Sequence, residues 1–505
     1  MSMNAAETLL QSGAPQATAL ECGSERLTYD ALRQRVRRAA GAWQALGLRP
    51  SERVIITAPD SIDWVVSYLG VIWAGGVAIG VNPRLTMNEL SPILLESEVR
   101  FVWCEAENVA PLTQLLASMA QAPTLIVSAL GDSNWASELS HAQELESVLQ
   151  DEEAPALWIG TSGTTGVSKG VLHAQRVALQ AHSFASGILQ LSAMDRLYAS
   201  SKLFFAYALG NSLFAGLRAG AAVILDRHWP DPERVLAMVR QHQPSLVFCV
   251  PTLYSKMLQN GIAQQLSGQG IRHFVSAGES LPASVRQGWR KATGLSIVSG
   301  YGTSETLCLM LYSEEDSGLL QTTPLTELRF APEADPSLPQ RIWLRSSTLA
   351  LGYWKRPQAQ ADGFREGWYC PGDMFLRRAD GQLEFAGRID DMLKISGRWV
   401  STLWVEQALL QAARESVVQL ACVGVLTPEG LTALSLLAIA APGQQELAHQ
   451  CIQDAIGKLP TYQRPRWLHW VESLPLTATG KLQRARLAAM HQTALAAGAR
   501  GSHCH

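Results

Sequence analysis

The segment Gly160-Thr161-Ser162-Gly163-Thr164-Thr165-Gly166-Val167-Ser168-Lys169-Gly170 gathers glycines, hydroxyls and an ammonium into one short stretch. Glycines let a backbone bend until several amide N–H groups face one anion. The hydroxyls of Thr161, Ser162, Thr164 and Thr165 add donors, and Lys169 adds a positive charge. Such a set suits a triphosphate or pyrophosphate, with a flexible Ser/Thr/Gly loop as the plain alternative. The spacing differs from G-x-x-x-x-G-K-[ST], because Gly170 follows the lysine. It is not a G-x-G-x-x-G dinucleotide fingerprint either.

A cradle of this kind needs rigid elements on both sides. The apolar run Ala156 to Ile159 places a strand directly before it. Upstream, Leu32, Val36, Ala40 and Trp43 recur at helical spacing, with Gly47 as a stop, and Val54 to Thr57 reads as a buried strand. The apolar stretch Ile62 to Val81 is broken by Gly70, Gly75 and Gly76, so it predicts a buried helix followed by a strand. Further strands are expected at Ala222–Leu225, Leu246–Val250, Ile271–Ser276 and Leu295–Ser299, with a helix over Pro232–His242. This alternation is the pattern of parallel sheets covered on both faces, where ligands gather at the carboxyl ends of strands. Ser313 to Gln340 reads as loop. Arg341–Leu344 and the turn around Asp380-Gly381 read as β structure. Beyond a polar segment at Gly387–Gly397, a helix from Leu403 and strands at Val417–Val425 and Leu431–Ala438 predict a small second domain.

Composition bounds the function. The chain has 505 residues, 47% hydrophobic and 17% charged, so more than one folded domain is expected and disorder is not. A net charge of −3 carries no basic footprint for nucleic acid. No apolar run reaches the roughly 20 residues of a membrane span. The eight cysteines include no C-x-x-C pair, which argues against structural zinc and a disulfide framework. No basic-then-apolar leader stands at the N-terminus, so a cytoplasmic location is expected. Residues 500–505 read as an appended tail.

The glycine-rich segment resembles the signature of the adenylate-forming superfamily, which includes acyl-CoA synthetases, adenylation domains and luciferases. Five more motifs follow in that family's order: Ser276-Ala277-Gly278-Glu279-Ser280-Leu281-Pro282, Tyr301-Gly302-Thr303-Ser304-Glu305, Gly372-Asp373, Gly387 to Gly397, and Pro475 to Lys481. Two departures are Ser168 for the usual proline and Cys370-Pro371 for the usual Arg-Thr. The resemblance implies an α/β fold: a large N-terminal domain, 1–389, of parallel-rich sheets plus a β-barrel-like part, and a small mobile α+β domain, 390–499. It implies ATP, Mg²⁺ and CoA as the small molecules handled.

The resemblance also implies roles. Thr161, Ser162, Gly163, Thr164, Thr165, Gly166 and Lys169 would hold phosphates. Ser276, Ala277, Gly278, Glu279, Ser299, Gly300, Tyr301 and Gly302 would line the adenosine, with Tyr301 stacked on adenine. Thr303 and Ser304 would donate to phosphate, and Glu305 would hold Mg²⁺. Asp373 would accept from the ribose hydroxyls, with Arg388 assisting. Lys481 would bridge substrate carboxylate and ATP, a task suited to a point charge. Asp390 would be the hinge about which the small domain rotates, exchanging Lys481 for the segment Lys394 to Trp399. Arg398 and Trp399 would meet CoA; a structural β-hairpin is the alternative for that segment.

Lys202 to Asn211 and Asp391 to Ser401 resemble benzoate- and anthranilate-activating CoA ligases, which would place Phe205, Ala206 and Tyr207 in an acyl pocket. Phe204 and Phe205 have a core role as their alternative. Those relatives tend to carry histidine at the position of Cys308, a smaller and weaker hydrogen-bond partner. The expectation is an aryl acid with a substituted or bulkier ring. The expected partners are that acid and CoA, with a carrier protein as the alternative acceptor, a homodimer as the assembly allowed for, and no membrane or nucleic acid. A nucleotide-binding protein without catalysis is the contrasting alternative.

Overall fold

Leu32, Val36, Ala40 and Trp43 form the buried stripe of the helix Tyr29–Ala45, whose N-terminus is capped by the Thr28 side chain accepting from Ala31 N–H. Leu46 and Gly47 end it, Gly47 in the left-handed region at φ 91°. The stretch from Ile62 resolves as expected into a helix, Ile62–Trp73, and a strand, Val77–Gly80. Only Asp63 of that helix reaches solvent, which fits an apolar segment without a polar stripe.

The computed structural model describes residues 1–128, 134–161, 169–314, 317–330, 339–389, 392–395, 398–413, 416–475, 482–496 and 502–503. Two compact units are present. One comprises Met1–Arg329 and Trp343–Pro371; the other comprises Phe330–Ile342 and Gly372–His505. Among the described residues no helix is long and apolar enough to cross a membrane.

The large unit holds two extended sheets. The first runs, in spatial order, Gly352–Tyr353, Lys169–Ala174, Pro155–Thr161, Val77–Gly80, Arg53–Thr57, Phe101–Glu105 and Thr124–Ser128. The second has nine strands, with a parallel centre of Ile297–Tyr301, His273–Ser276, Leu246–Cys249, Arg196–Ala199 and Ala222–Leu225. Near-continuous apolar runs such as Leu246-Val-Phe-Cys249 are wholly buried there, as a sheet covered on both faces requires. The helix Pro232–His242 covers this sheet, capped by Asp231, with Pro232 in its first turn. One continuous core joins Leu32, Trp43, Tyr68, Trp103 and Phe214; a second gathers Tyr254, Phe274 and Trp289, whose rings meet edge to face.

Between 313 and 340 the expectation of loop is corrected in part: Gln321–Thr322 and Glu327–Phe330 are short strands. In the small unit, Asp373–Arg377 and Leu383–Arg388 form the expected hairpin around Asp380-Gly381, with Gly381 at φ 87°. A sheet of Val417–Leu426, Thr432–Ala440 and Pro465–Trp470 packs against the helices Thr402–Ala412 and Gln445–Lys458 through Leu409, Leu436 and Ile452. Ser502–His503 adds an edge strand to it.

Candidate active site

The glycine-rich segment does not lead from strand to helix. It links two antiparallel strands of the first sheet, with Thr161 and Lys169 paired across its base. Ser162, Gly163, Thr164, Thr165 and Gly166 lie outside the described residues. Gly170 lies flat against the Trp158 indole: a Cβ there would sit 2.0 Å from the ring. The Trp354 N–H donates to the Gly170 carbonyl at 2.8 Å, and Lys169 Nζ stands 5.4 Å from the Tyr353 ring centroid. The Tyr353 hydroxyl in turn donates to Glu305 Oε1 at 2.6 Å. One tyrosine therefore joins the lysine of the glycine-rich segment to the candidate metal carboxylate.

Tyr301, Gly302, Thr303, Ser304 and Glu305 form the turn that leaves the carboxyl end of Ile297–Tyr301. The Thr303 N–H donates to Thr306 Oγ1 at 2.9 Å. His173 Nε2 lies 2.8 Å from the Ser304 carbonyl, which can only accept, so Nε2 carries the proton. Burial lowers the His173 imidazole to about 4, so it is neutral at pH 7. Glu305 is itself buried. Next door, Ser276 and Ser299 face one another across adjacent parallel strands, at the carboxyl end of the sheet. Both hydroxyls are buried and neither has a partner among the described residues. Such orphaned donors fit a site built for a polar ligand. Ala277 is buried, Gly278 follows at φ 89°, and Glu279 accepts from Thr252 Oγ1 at 2.8 Å.

Phe205, Ala206 and Tyr207 follow the parallel strand Arg196–Ala199 of the same sheet and are half-buried. Phe204 is buried, in keeping with a core role, and its ring lies 4.4 Å from that of Phe205. The segment is anchored at its start. Lys202 Nζ donates to the Asp226 carbonyl at 2.6 Å and to the His228 carbonyl, and Leu203 N–H donates to Asp60 Oδ1 at 3.1 Å. Burial pushes the Asp60 carboxyl up to about 7 against the pull of the Lys202 ammonium. The Tyr207 hydroxyl donates to the Val275 carbonyl at 3.0 Å, one residue before Ser276. Cys308 is buried, its Sγ 3.6 Å from the Ala181 carbonyl, and burial pushes its thiol up to about 12. It is a neutral weak donor rather than a nucleophile.

In the small unit, Asp373 and Arg388 face each other across the hairpin, guanidinium to carboxylate at 3.5 Å. Lys394 and Arg398 are exposed on an antiparallel hairpin in which Lys394 pairs with Trp399. The Arg398 guanidinium lies 4.8 Å from the Tyr462 ring centroid. Asp390 and Lys481 lie outside the described residues. Arg484, just after Lys481, grips both oxygens of Glu406 at 2.7 and 2.8 Å and so fixes the start of the helix Arg484–Ala496. Among the described residues no cluster of three or more His, Cys, Asp or Glu forms a protein cage for a metal. A single carboxylate, Glu305, fits Mg²⁺ held mainly by substrate phosphates and water.

Sequence reasoning missed His173, Tyr353 and Asp60. Each acts through a partner more than 40 residues away, and no local spacing marks such a pair.

The AMP-binding enzyme family matches residues 10–354. The 3-hydroxybenzoate–CoA/4-hydroxybenzoate–CoA ligase of Thauera aromatica is 35% identical, over 98% of this chain and 98% of its own. The 3-hydroxybenzoate–CoA ligase of Aromatoleum sp. (strain CIB) is 34% identical over 96% of each chain. The crystal structure of an anthranilate CoA ligase in complex with anthranoyl-AMP superposes with a TM-score of 0.89 at 28% identity, covering 98% of both chains.

Proposed function

The chain belongs to the AMP-binding enzyme family and is an AMP-forming acid–thiol ligase, and from that premise we propose that it joins a ring-substituted benzoate, such as a hydroxybenzoate, to CoA. The observation that carries the reading is the convergence at one end of the second sheet. Phe205–Tyr207, Ser276–Glu279 and Ser299–Glu305 all leave carboxyl ends of its parallel strands, and the Tyr207 hydroxyl ties the first segment to the second. Relatives named for hydroxybenzoates at 35% and 34% identity support the acid class. So does Cys308, at a position where the family resemblance leads one to expect a larger histidine in benzoate- and anthranilate-activating ligases.

A carboxylate is a poor acyl donor because its leaving group is poor. In the first step its oxygen attacks the α-phosphorus of ATP, the bond to the β-phosphate breaks, and pyrophosphate leaves. The protein's part is to hold the attack in line and to neutralise charge. Lys169, Thr303 and Ser304 bind phosphate oxygens, and His173 fixes the turn that carries two of them. Glu305 would hold Mg²⁺, which when bound would supply charge neutralisation on the phosphates. Ser276 and Ser299 offer hydroxyls to the adenosine. Asp373 and Arg388 take the ribose, and Lys481 bridges the two reacting groups. In the second step the CoA sulfur attacks the acyl carbon and AMP leaves with the bonding electrons, with Lys394, Arg398 and Trp399 meeting CoA after rotation at Asp390. Buried Cys308 takes no covalent part.

A screen of aryl acids by pyrophosphate release tests the acid. Substituted benzoates are expected to lead, and a strong preference for unsubstituted benzoate or fatty acids refutes the assignment. Lys481→Ala tests the mechanism. Adenylate formation should nearly vanish while supplied aryl-adenylate still yields the CoA thioester; undiminished pyrophosphate release in that variant would falsify the role of Lys481.

A further inference from the structure

The helix behind the acyl segment is irregular at one place. Ala206–Ala208 is α-helical, Leu209–Phe214 opens into a π turn, and α geometry resumes at Ala215. Such insertions widen a helix and recur at functional positions. Inside this one sits Asn211, 2% exposed. Its Nδ2 donates to the Tyr207 carbonyl at 3.1 Å and to the Leu307 carbonyl at 3.3 Å. Its Oδ1 accepts from the Leu309 N–H at 3.0 Å. One amide thus uses both donors and its acceptor to tie the acyl segment to the chain just past Glu305.

The segment it grips is strained. Leu307 holds φ 58°, the left-handed region that a bulky side chain avoids, and persists there only if its surroundings over-determine it. Asn211 does so by binding the carbonyl of Leu307 and the amide of Leu309 on either side of Cys308. Gly210 makes the approach feasible, because a Cβ there would stand 2.6 Å from the Leu307 carbonyl oxygen.

We propose that Asn211 is a positioning residue: it sets the register between the wall that holds the acid and the turn that holds the phosphates, and so aligns carboxylate and α-phosphorus for attack. The proposal rests on the assignments of Phe205–Tyr207 and Thr303–Glu305 made above. It has a sharp consequence. Alignment of two separate reactants matters before the acyl–phosphate bond exists; once acid and AMP are one molecule, the bond itself maintains their geometry. Misplacement of about 1 Å costs on the order of 100-fold in rate.

The test is a comparison of half-reactions in Asn211→Ala and Asn211→Asp. Asp keeps the shape and the acceptor for Leu309 but loses the amide donors, and it carries the test if the alanine variant does not fold. With a substituted benzoate, the kcat for pyrophosphate release is expected to fall on the order of 100-fold, with KM for ATP and for the acid each within about threefold of wild type. Thioester formation from chemically supplied aryl-adenylate and CoA should stay within about threefold. Equal losses in both half-reactions mark a merely structural residue and overturn the proposal, as does an unchanged first step. Failure of the wild-type protein to activate any aryl acid is a separate result, which refutes the aryl-acid reading itself.

Discussion

Replacing His173 by glutamine isolates a single buried proton. The imidazole is fully buried, donates from Nε2 to the Ser304 carbonyl and is held near a pKa of about 4 by burial. In an unfolded chain histidine titrates near its ordinary 6.5. As pH falls below 6.5 the unfolded state takes up a proton that the native state refuses. Stability is therefore fully present above 6.5 and drains away between 6.5 and about 4. The slope is about 1.4 kcal/mol per pH unit, so at pH 4.5 the loss from this one group is about 2.5 kcal/mol. A glutamine amide reaches the same carbonyl with its Nε2 and does not titrate, so His173→Gln should shed this loss. Urea melts followed by tryptophan fluorescence, run on both proteins from pH 7.5 to 4.5, measure the difference. Other histidines pushed down by burial, such as His182 and His273, titrate in both proteins and cancel. The variant should gain about 2.5 kcal/mol on wild type between the two ends of that range. Curves that stay parallel within about 0.5 kcal/mol refute the neutral, buried histidine and with it the account of how the Thr303–Glu305 turn is held.

Three further substitutions probe the site from other sides. Gly170→Ala pushes a methyl group into the Trp158 indole, and overpacking of this kind should cost about 1–3 kcal/mol; an unchanged melting temperature in calorimetry contradicts the close stacking. Tyr353→Phe removes the 2.6 Å bond to Glu305, and adenylation should slow by roughly 10- to 100-fold, since a hydrogen bond to a charged group contributes about 1.5–3 kcal/mol. Wild-type pyrophosphate release from that variant argues that Glu305 is oriented by something else. Cys308→His introduces the side chain that the family resemblance leads one to expect here in benzoate- and anthranilate-activating ligases. It should raise the ratio of kcat/KM for benzoate over hydroxybenzoate on the order of tenfold, the scale set by one or two lost or gained pocket contacts, and an unchanged ratio removes Cys308 from the specificity determinants.

Much of the fold is written locally. The buried stripe Leu32, Val36, Ala40 and Trp43 needs only a 3.6-residue period to be seen, and the helix Tyr29–Ala45 follows from it. The runs Ala222–Leu225 and Leu246–Cys249 are strands because nothing polar interrupts them. Asp380-Gly381 marks its hairpin by turn chemistry alone. The helix-and-strand pattern stops being informative where the chain is short-period and charged, as in 319–340, where Glu327–Phe330 is a strand with exposed and half-buried residues alternating. Local propensity there is weak, and the pairing that makes the strand comes from elsewhere in the chain.

The candidate site divides along the same line. Residues proposed to touch a ligand carry chemistry in their own type, so Lys169, Glu305, Asp373 and Lys481 stand out in sequence as charge and hydroxyl grouped around glycine. Residues that hold those groups in place do not. His173, Tyr353 and Asn211 look like core or surface positions until their partners are known, because a buried histidine, a strand tyrosine and a helix asparagine each have commoner uses. What gives them weight is obligation. Ser304 and Leu307 expose backbone carbonyls that burial forbids leaving unpaired, Glu305 is a buried carboxylate that requires a donor, and Leu307 occupies a conformation that requires an external constraint. His173, Asn211 and Tyr353 meet those requirements. The supporting frame is therefore as demanding as the groups proposed to meet substrate, and a change in it should appear first in the step where two separate molecules must be aligned.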